Sequence, residues 1–220
     1  MEIALLGGTG DIGEGLALRF IRDTDHTIHI GSRTPEKATA SADAYATRLG
    51  DDAGEITGSS NQSAAERASV IVCSVPPEYV VSTIESIESS LNMGDVLVSP
   101  AVSMNRGPGG FVYDPPAAGS VAQAAAQAAP DDVPVVGAFQ NLAAGALASL
   151  ETAIEADVVV TGDDEAATAT VTELASELDG IRAIDGGGLS ATASVEALTP
   201  LLINLAMNND GMHDLGVRFE

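Results

Sequence analysis

A single lysine, Lys37, stands four residues after Arg33 in the segment Gly31-Ser32-Arg33-Thr34-Pro35-Glu36-Lys37, and the chain has only nine basic residues in all. A hydroxyl, a guanidinium and an ammonium at this spacing can grip one phosphate group. The serine donates a hydrogen bond, the arginine forks onto two oxygens and the lysine adds a point charge. A second anion-binding group lies upstream, in Gly8-Thr9-Gly10-Asp11-Ile12-Gly13. In this Gly-x-Gly-x-x-Gly pattern the first glycine permits a tight turn, the second lets backbone approach a pyrophosphate, and the third lets helix and strand pack closely. The amides of the helix that follows face the anion. The two groups together suit a dinucleotide that carries a ribose 2′-phosphate, namely NADP. A site for NAD would place Asp or Glu after the second strand, where this chain has Gly31-Ser32-Arg33. The competing reading is that Arg33 and Lys37 pair with surface carboxylates such as Glu36.

These residues must be positioned by strands and helices. Apolar runs at Ile3 to Leu6, Thr27 to Ile30, Val70 to Val75, Val96 to Val98 and Val133 to Val136 alternate with helix-like stretches. The helix-like stretches are Gly13 to Arg22, Pro35 to Leu49, Glu78 to Leu91 and the alanine-rich Ser120 to Ala129. The alternation predicts an α/β fold with a doubly wound parallel sheet of the Rossmann type. After Gly145 the pattern restarts with a helix over Ala146 to Glu155, a strand over Asp157 to Thr161, a helix over Asp164 to Leu178 and a strand over Ile181 to Asp185. A last apolar helix is expected over Ser194 to Met207. We therefore expect a dinucleotide-binding domain over residues 1–145 and a small α/β lobe over 146–220 that closes the cleft.

Composition narrows the partners. The formal net charge is -23, from 32 acidic against 9 basic residues, and the isoelectric point is about 4.1. Nucleic acid and anionic membranes are excluded as natural partners by that charge. A hydrophobic share of 45% and a mean hydropathy of +0.18 indicate a packed globule in place of an acidic disordered chain. Dense carboxylates with one lysine suit a protein kept in solution by concentrated salt, and point to a halophile's cytoplasm. No leader or spanning run of eighteen or so apolar residues is evident. Cys73, in the apolar run Val70-Ile71-Val72-Cys73, reads as a buried small residue.

A dehydrogenase acting on an alcohol or carbonyl needs a proton donor or acceptor beside the reacting carbon. This chain offers few. His26 and His29 flank the second strand, His213 lies near the carboxyl terminus, and Tyr45, Tyr79 and Tyr113 lack a lysine partner. No pair of histidines or cysteines has metal-ligand spacing. Hydride transfer between two stacked rings needs no such group, only geometry and exclusion of water. The loops Ser74-Val75-Pro76-Pro77, Ser99-Pro100-Ala101-Val102-Ser103 and Phe139-Gln140-Asn141-Leu142-Ala143 are small, apolar and proline-stiffened, and could form a slot for flat rings. The prolines could equally serve only to end strands.

The sequence resembles NADPH-dependent reductases of the deazaflavin coenzyme F420. The resemblance is carried by Ala4-Leu5-Leu6-Gly7-Gly8-Thr9-Gly10, by Gly31-Ser32-Arg33 with Lys37, and by Val98-Ser99-Pro100 with Arg106-Gly107 and Gly110-Phe111. It continues through Gly162-Asp163-Asp164, Glu196-Ala197-Leu198-Thr199-Pro200-Leu201 and Leu215-Gly216-Val217. It implies hydride transfer between nicotinamide and deazaflavin without a protein acid or base. Thr9 to Ile12 would carry the pyrophosphate, and Ser32, Arg33 and Lys37 the 2′-phosphate. Pro76, Pro77 and Val81, beside Ser74, would line the ribose and nicotinamide, and Val102 and Ala144 would lie by the stacked rings. Such proteins are typically homo-oligomers, which would suit the apolar helix over Leu198 to Met207; burial against the first lobe would suit it equally. The chain departs from the family at Gln140, where a histidine is common, and at Ala193, where an arginine is. A reductase of a flavin or ferric chelate, and a non-catalytic NADP(H) sensor, are the alternatives.

Overall fold

The computed structural model describes every residue from Met1 to Glu220. Ten strands form: β1 (Glu2–Leu6), β2 (Thr27–Ser32), β3 (Ile56–Ser60), β4 (Val70–Cys73), β5 (Val96–Ser99), β6 (Met104–Gly107), β7 (Gly110–Tyr113), β8 (Val135–Gly137), β9 (Ala156–Gly162) and β10 (Ile181–Asp185). Eight of them make one sheet in the order β10-β9-β8-β5-β4-β1-β2-β3, while β6 and β7 form a separate hairpin. The central strands alternate between two apolar surfaces. Ile3, Leu5, Val70 and Val72 enter one core, and Ala4, Leu6, Ile71 and Cys73 the other. Strands buried on both faces must be apolar at nearly every position, which is why these runs were visible in the sequence.

The helices are α1 (Asp11–Asp23), α2 (Pro35–Leu49), α3 (Asn61–Ala65), α4 (Val80–Ile87), α5 (Val121–Ala128), α6 (Ala144–Ala148), α7 (Glu165–Ser176), α8 (Thr192–Glu196) and α9 (Leu198–Asn208). Those on the first core are α1, α2, α6 and α7; α3, α4 and α5 cover the second. Ser120 and Asp164 cap α5 and α7 by accepting the amides of Gln123 and Ala167. The expected parallel doubly wound sheet is present, with one correction: β9 joins β8 antiparallel, so the sheet is mixed. Alternation of strand and helix carries no information on that direction. The segment after Gly145 also builds no sheet of its own, because β9 and β10 extend the first one.

Three further differences have clear causes. Strand β3 went unpredicted because Ile56–Ser60 has one large apolar residue; it forms because Gly58 lets α2 approach, and a Cβ there would lie 2.3 Å from the Ala38 carbonyl. The helix expected over Ala146 to Glu155 stops at Ala148. Beyond it, arginines satisfy carbonyls that a helix would have used: Arg48 reaches Ala148, Arg22 reaches Leu150, and Arg19 reaches Ser149 and Thr152. Finally, Leu189–Asn208 is a helical stretch of 20 residues with mean hydropathy 1.3, long and apolar enough to cross a membrane by those measures alone. It is broken into a turn, α8 and α9, and carries the fully buried carboxylate of Glu196.

Candidate functional site

The strand order reverses between β1 and β4, so the crevice at their carboxyl ends is flanked by Gly7 to Gly10 on one side and Ser74 to Pro77 on the other. The glycine turn is tightly specified. Gly7 has φ +78, where a side chain would be strained, and its amide donates to Gly31 on β2. Added at Gly13, a Cβ would come within 2.5 Å of Gly8 Cα. At Gly10 the closest atom would be 3.5 Å away, so that backbone is open to a ligand. Gly8 is buried, Thr9 and Ile12 are half-buried, and Gly10 and Asp11 are exposed at the start of α1. The left-handed turn thus falls at Gly7 and not at Gly8, where the constraint is close packing, since a Cβ would lie 2.8 Å from the Leu5 carbonyl.

Two hydrogen bonds hold it from behind, and the sequence indicated neither. The buried Tyr45 hydroxyl on α2 donates to the Gly8 carbonyl at 2.9 Å. Its pKa is raised, chiefly by burial and then by Glu14. Ser74, placed among the cofactor residues, turns its hydroxyl inward to the Leu6 carbonyl at 2.9 Å, so it ties β4 to β1 at the crevice. Tyr45→Phe would leave the Gly8 carbonyl without its partner. We expect a loss of about 1 to 3 kcal/mol in unfolding free energy by urea titration. An unchanged midpoint would mean that water replaces the hydroxyl.

Ser32 ends β2 and is buried, and its Oγ accepts the Thr34 amide at 3.2 Å, leaving the hydroxyl proton free to donate. Arg33 and Lys37 are both exposed. Neither forms an ion pair with any carboxylate: the pairs are Arg22 with Asp23, Arg48 with Glu14, Arg182 with Asp157, and the three histidines with Glu177, Glu2 and Asp214. The competing reading, pairing with Glu36, is therefore not what the structure shows. Two cations four residues apart, in a chain with 32 acidic residues, thus form no ion pair within the protein.

On the other side of the crevice Pro76 and Val81 are exposed and Pro77 is half-buried, in the turn that leads into α4. Val102 follows β5, and Ala144 opens α6 after β8; both are half-buried and lie on loops at the same edge of the sheet. Between those loops Phe139 adopts φ 70, a left-handed conformation rare for a bulky residue. Next to it Gln140 is 3% exposed; its side-chain amide donates to the Ser99 carbonyl at 3.0 Å, while its backbone carbonyl accepts from the Thr199 hydroxyl. Gln140 thus ties the β5 and β8 loops to α9, while its side-chain Oε1 is buried without a partner. Ala193 is half-buried in α8.

Two of the histidines are held by partners on other elements and the third is at the surface. His29 is buried between Thr57 and Glu2, and His26 pairs with Glu177. His213 is exposed, but its neighbour Asp214 lies against Gly145, so the carboxyl-terminal segment returns to the loop that carries Ala144. Glu196 is fully buried and accepts from the amides of Val121 and Ala122 and from the Tyr113 hydroxyl at 2.9 Å. Burial raises its pKa, against the pull of those hydrogen bonds. It locks α8 to the start of α5 and to the hairpin. A surface cavity of about 700 Å³, lined by Arg22, Asp23, Asp52 and residues 176–181, includes none of the cofactor candidates. The candidate residues lie instead on the loops at the carboxyl ends of the strands.

A mixed α/β sheet with a glycine cradle at its switch point and unpaired cations after β2 defines a Rossmann-type dinucleotide-binding protein. Residues 2–103 match the family described as "NADP oxidoreductase coenzyme F420-dependent". The chain is 40% identical over 212 residues to the F420-dependent NADP reductase of Methanocaldococcus jannaschii, covering 93% of this chain and 92% of that one. It is 37% identical over 221 residues to the protein of the same name from Methanothermobacter marburgensis, covering 99% and 97%. A crystal structure from Arthrobacter sp. FB24, described as a candidate F420-dependent NADP reductase, superposes with a TM-score of 0.81 at 23% identity over 100% of this chain and 99% of that one. The chain belongs to the F420-dependent NADP reductase family.

Proposed function

We propose that this chain is an oxidoreductase that transfers hydride between NADP(H) and the deazaflavin coenzyme F420. The observation that carries the NADP half is the unpaired state of Arg33 and Lys37 beside Ser32. Gly8, Thr9, Gly10, Asp11 and Ile12 would hold the pyrophosphate, and Ser32, Arg33 and Lys37 the 2′-phosphate. The groove fits such a ligand, since Gly10 is open to approach while Gly7 and Gly13 admit no side chain. Pro76, Pro77 and Val81 would flank the ribose and nicotinamide, with Ser74 fixing their loop from within. Val102 and Ala144 would lie by the paired rings, and residues 146–220 would close the groove over them. When bound, NADPH supplies the hydride to the deazaflavin ring. The protein's part is to align the rings and exclude water, and no side chain is required as acid or base.

Anaerobic mixing of the protein with NADPH and oxidised F420 in high salt tests this reading. Loss of the deazaflavin's visible absorbance, faster with NADPH than with NADH, is the expected result. Absence of bleaching despite measured NADPH binding would reject F420 as acceptor. It would favour a flavin, a ferric chelate or a sensory role.

The exposed apolar side chains of α9, Leu201, Leu205 and Met207, support a homodimer or higher homo-oligomer built on that helix. The acidic surface supports residence in the cytoplasm of a halophile. If so, the melting temperature falls when molar salt is replaced by millimolar salt, because the carboxylates then repel over a longer distance. Equal melting temperatures at both concentrations would reject a halophilic origin for the charge.

A further inference from the structure

Arg33 reaches across the groove to Tyr79, with its guanidinium carbon 5.1 Å from the centre of the tyrosine ring. The two residues come from different loops, one after β2 and one in the single turn Pro77–Tyr79 after β4, and only β1 separates those strands in the sheet. Tyr79 is 43% exposed, so it is no core residue. Its backbone is nevertheless fixed: its amide donates to the Pro76 carbonyl at 2.9 Å, its carbonyl accepts from the Ser82 hydroxyl, and the two preceding prolines restrict the turn. The carboxylates nearest in sequence, Glu36 and Glu78, are exposed and unpaired with Arg33.

We infer that Tyr79 is a positioning residue for cofactor choice: its ring holds the Arg33 guanidinium ready for the 2′-phosphate of NADP(H). An aromatic face attracts a cation through its quadrupole, without accepting the N–H groups as a carboxylate would. The donors that fork onto a phosphate therefore stay available, and no resident anion has to be displaced. A long exposed arginine otherwise samples many rotamers, and ordering it at the moment of binding costs affinity. The contact is short-ranged, so concentrated salt leaves it in place where long-range attraction is screened. An NAD(H) ribose offers no phosphate to Arg33, so only NADP(H) gains.

This inference rests on the assignment of Arg33 to the 2′-phosphate, and the test separates the two. Dissociation constants for NADPH and NADH are measured by calorimetry for the unaltered protein, Tyr79→Leu, Tyr79→Phe, Arg33→Ala and the Arg33→Ala/Tyr79→Leu double variant. Tyr79→Leu is expected to weaken NADPH about fivefold, the ratio that roughly 1 kcal/mol gives, and to leave NADH unchanged. Tyr79→Phe keeps the ring face and is expected to restore NADPH affinity. In the Arg33→Ala background the effect of Tyr79→Leu should vanish. Equal weakening of both cofactors, persistence of the effect without Arg33, or no effect at all would overturn the role of Tyr79. An Arg33→Ala protein that binds NADPH as tightly as the unaltered one would instead overturn the phosphate assignment itself. A melting curve for Tyr79→Phe and Tyr79→Leu confirms that each variant is folded.

Discussion

Replacing Arg33 by alanine is expected to cost about 1.5 to 3 kcal/mol of NADPH binding, the worth of hydrogen bonds made by a charged donor, and almost nothing for NADH. That is a loss of roughly 10- to 150-fold in affinity for one cofactor only. The selectivity follows from the surroundings of the side chain. Arg33 is exposed and carries no carboxylate partner, so its removal leaves no buried orphan and no loosened core. Its neighbours at the site, the buried Ser32 and the exposed Lys37, retain part of the attraction. In a high-salt medium the Debye length is about 3 Å or less, so contacts of this kind carry the discrimination. Titration of both reduced cofactors against the variant measures it directly. Equal losses would mean that Arg33 serves a part common to both, such as the adenine, or the fold.

Arg19→Leu is expected to be the most destabilising single change in the chain. The arginine is on α1, has no solvent exposure, and donates to four backbone carbonyls: Leu147 at 2.9 Å, Ala146 at 3.0 Å, Ser149 at 2.7 Å and Thr152 at 3.0 Å. It thereby replaces the helical hydrogen bonds that end at Ala148. Burial lowers its pKa, with the nearby Arg22 adding to the effect and Asp23 and Asp179 opposing it, yet a guanidinium remains charged. Leucine matches much of the volume but leaves those carbonyls without donors. Since one hydrogen bond to a charged group is worth roughly 1.5 to 3 kcal/mol, a loss of about 3 kcal/mol or more is expected in urea unfolding. Because α6 begins at Ala144, turnover with F420 should fall further than NADPH binding. A variant with unaltered stability, or one that loses cofactor binding and turnover in equal measure, would show that Arg19 does not support this loop.

Central strands and the glycine cradle were legible because their causes are local. Val70–Cys73 must be apolar on both faces, and Gly7 to Gly13 must admit a turn and a close helix. The range Pro35–Leu49 was read to the residue, since a proline at its first position, the spacing of Ala38, Ala42, Tyr45 and Leu49, and Gly50 after it all mark one amphipathic helix. Strand β3 was not legible, because its place depends on α2 resting against Gly58. The short α6 was hidden for a similar reason: its limit is set by arginines a hundred or more residues away. The charge pattern at Ser32, Arg33 and Lys37 named the phosphate, but whether Glu36 neutralises it was a question of side-chain placement.

What the sequence determined by itself was therefore the class of fold, the cradle, and the cations suited to NADP, each encoded within a few consecutive residues. The tertiary structure decided which of those groups remain free to bind. Ser74 and Gln140, both in loops at the groove, proved to be tied inward to backbone carbonyls, whereas Arg33 is held by Tyr79 and paired with no acid. Tyr45 behind Gly8, Arg19 beneath α6 and Glu196 under α5 emerged only with the fold. A side chain's type states what it can donate or accept. Its partner is set by which distant segment packs against it, and no local pattern records that.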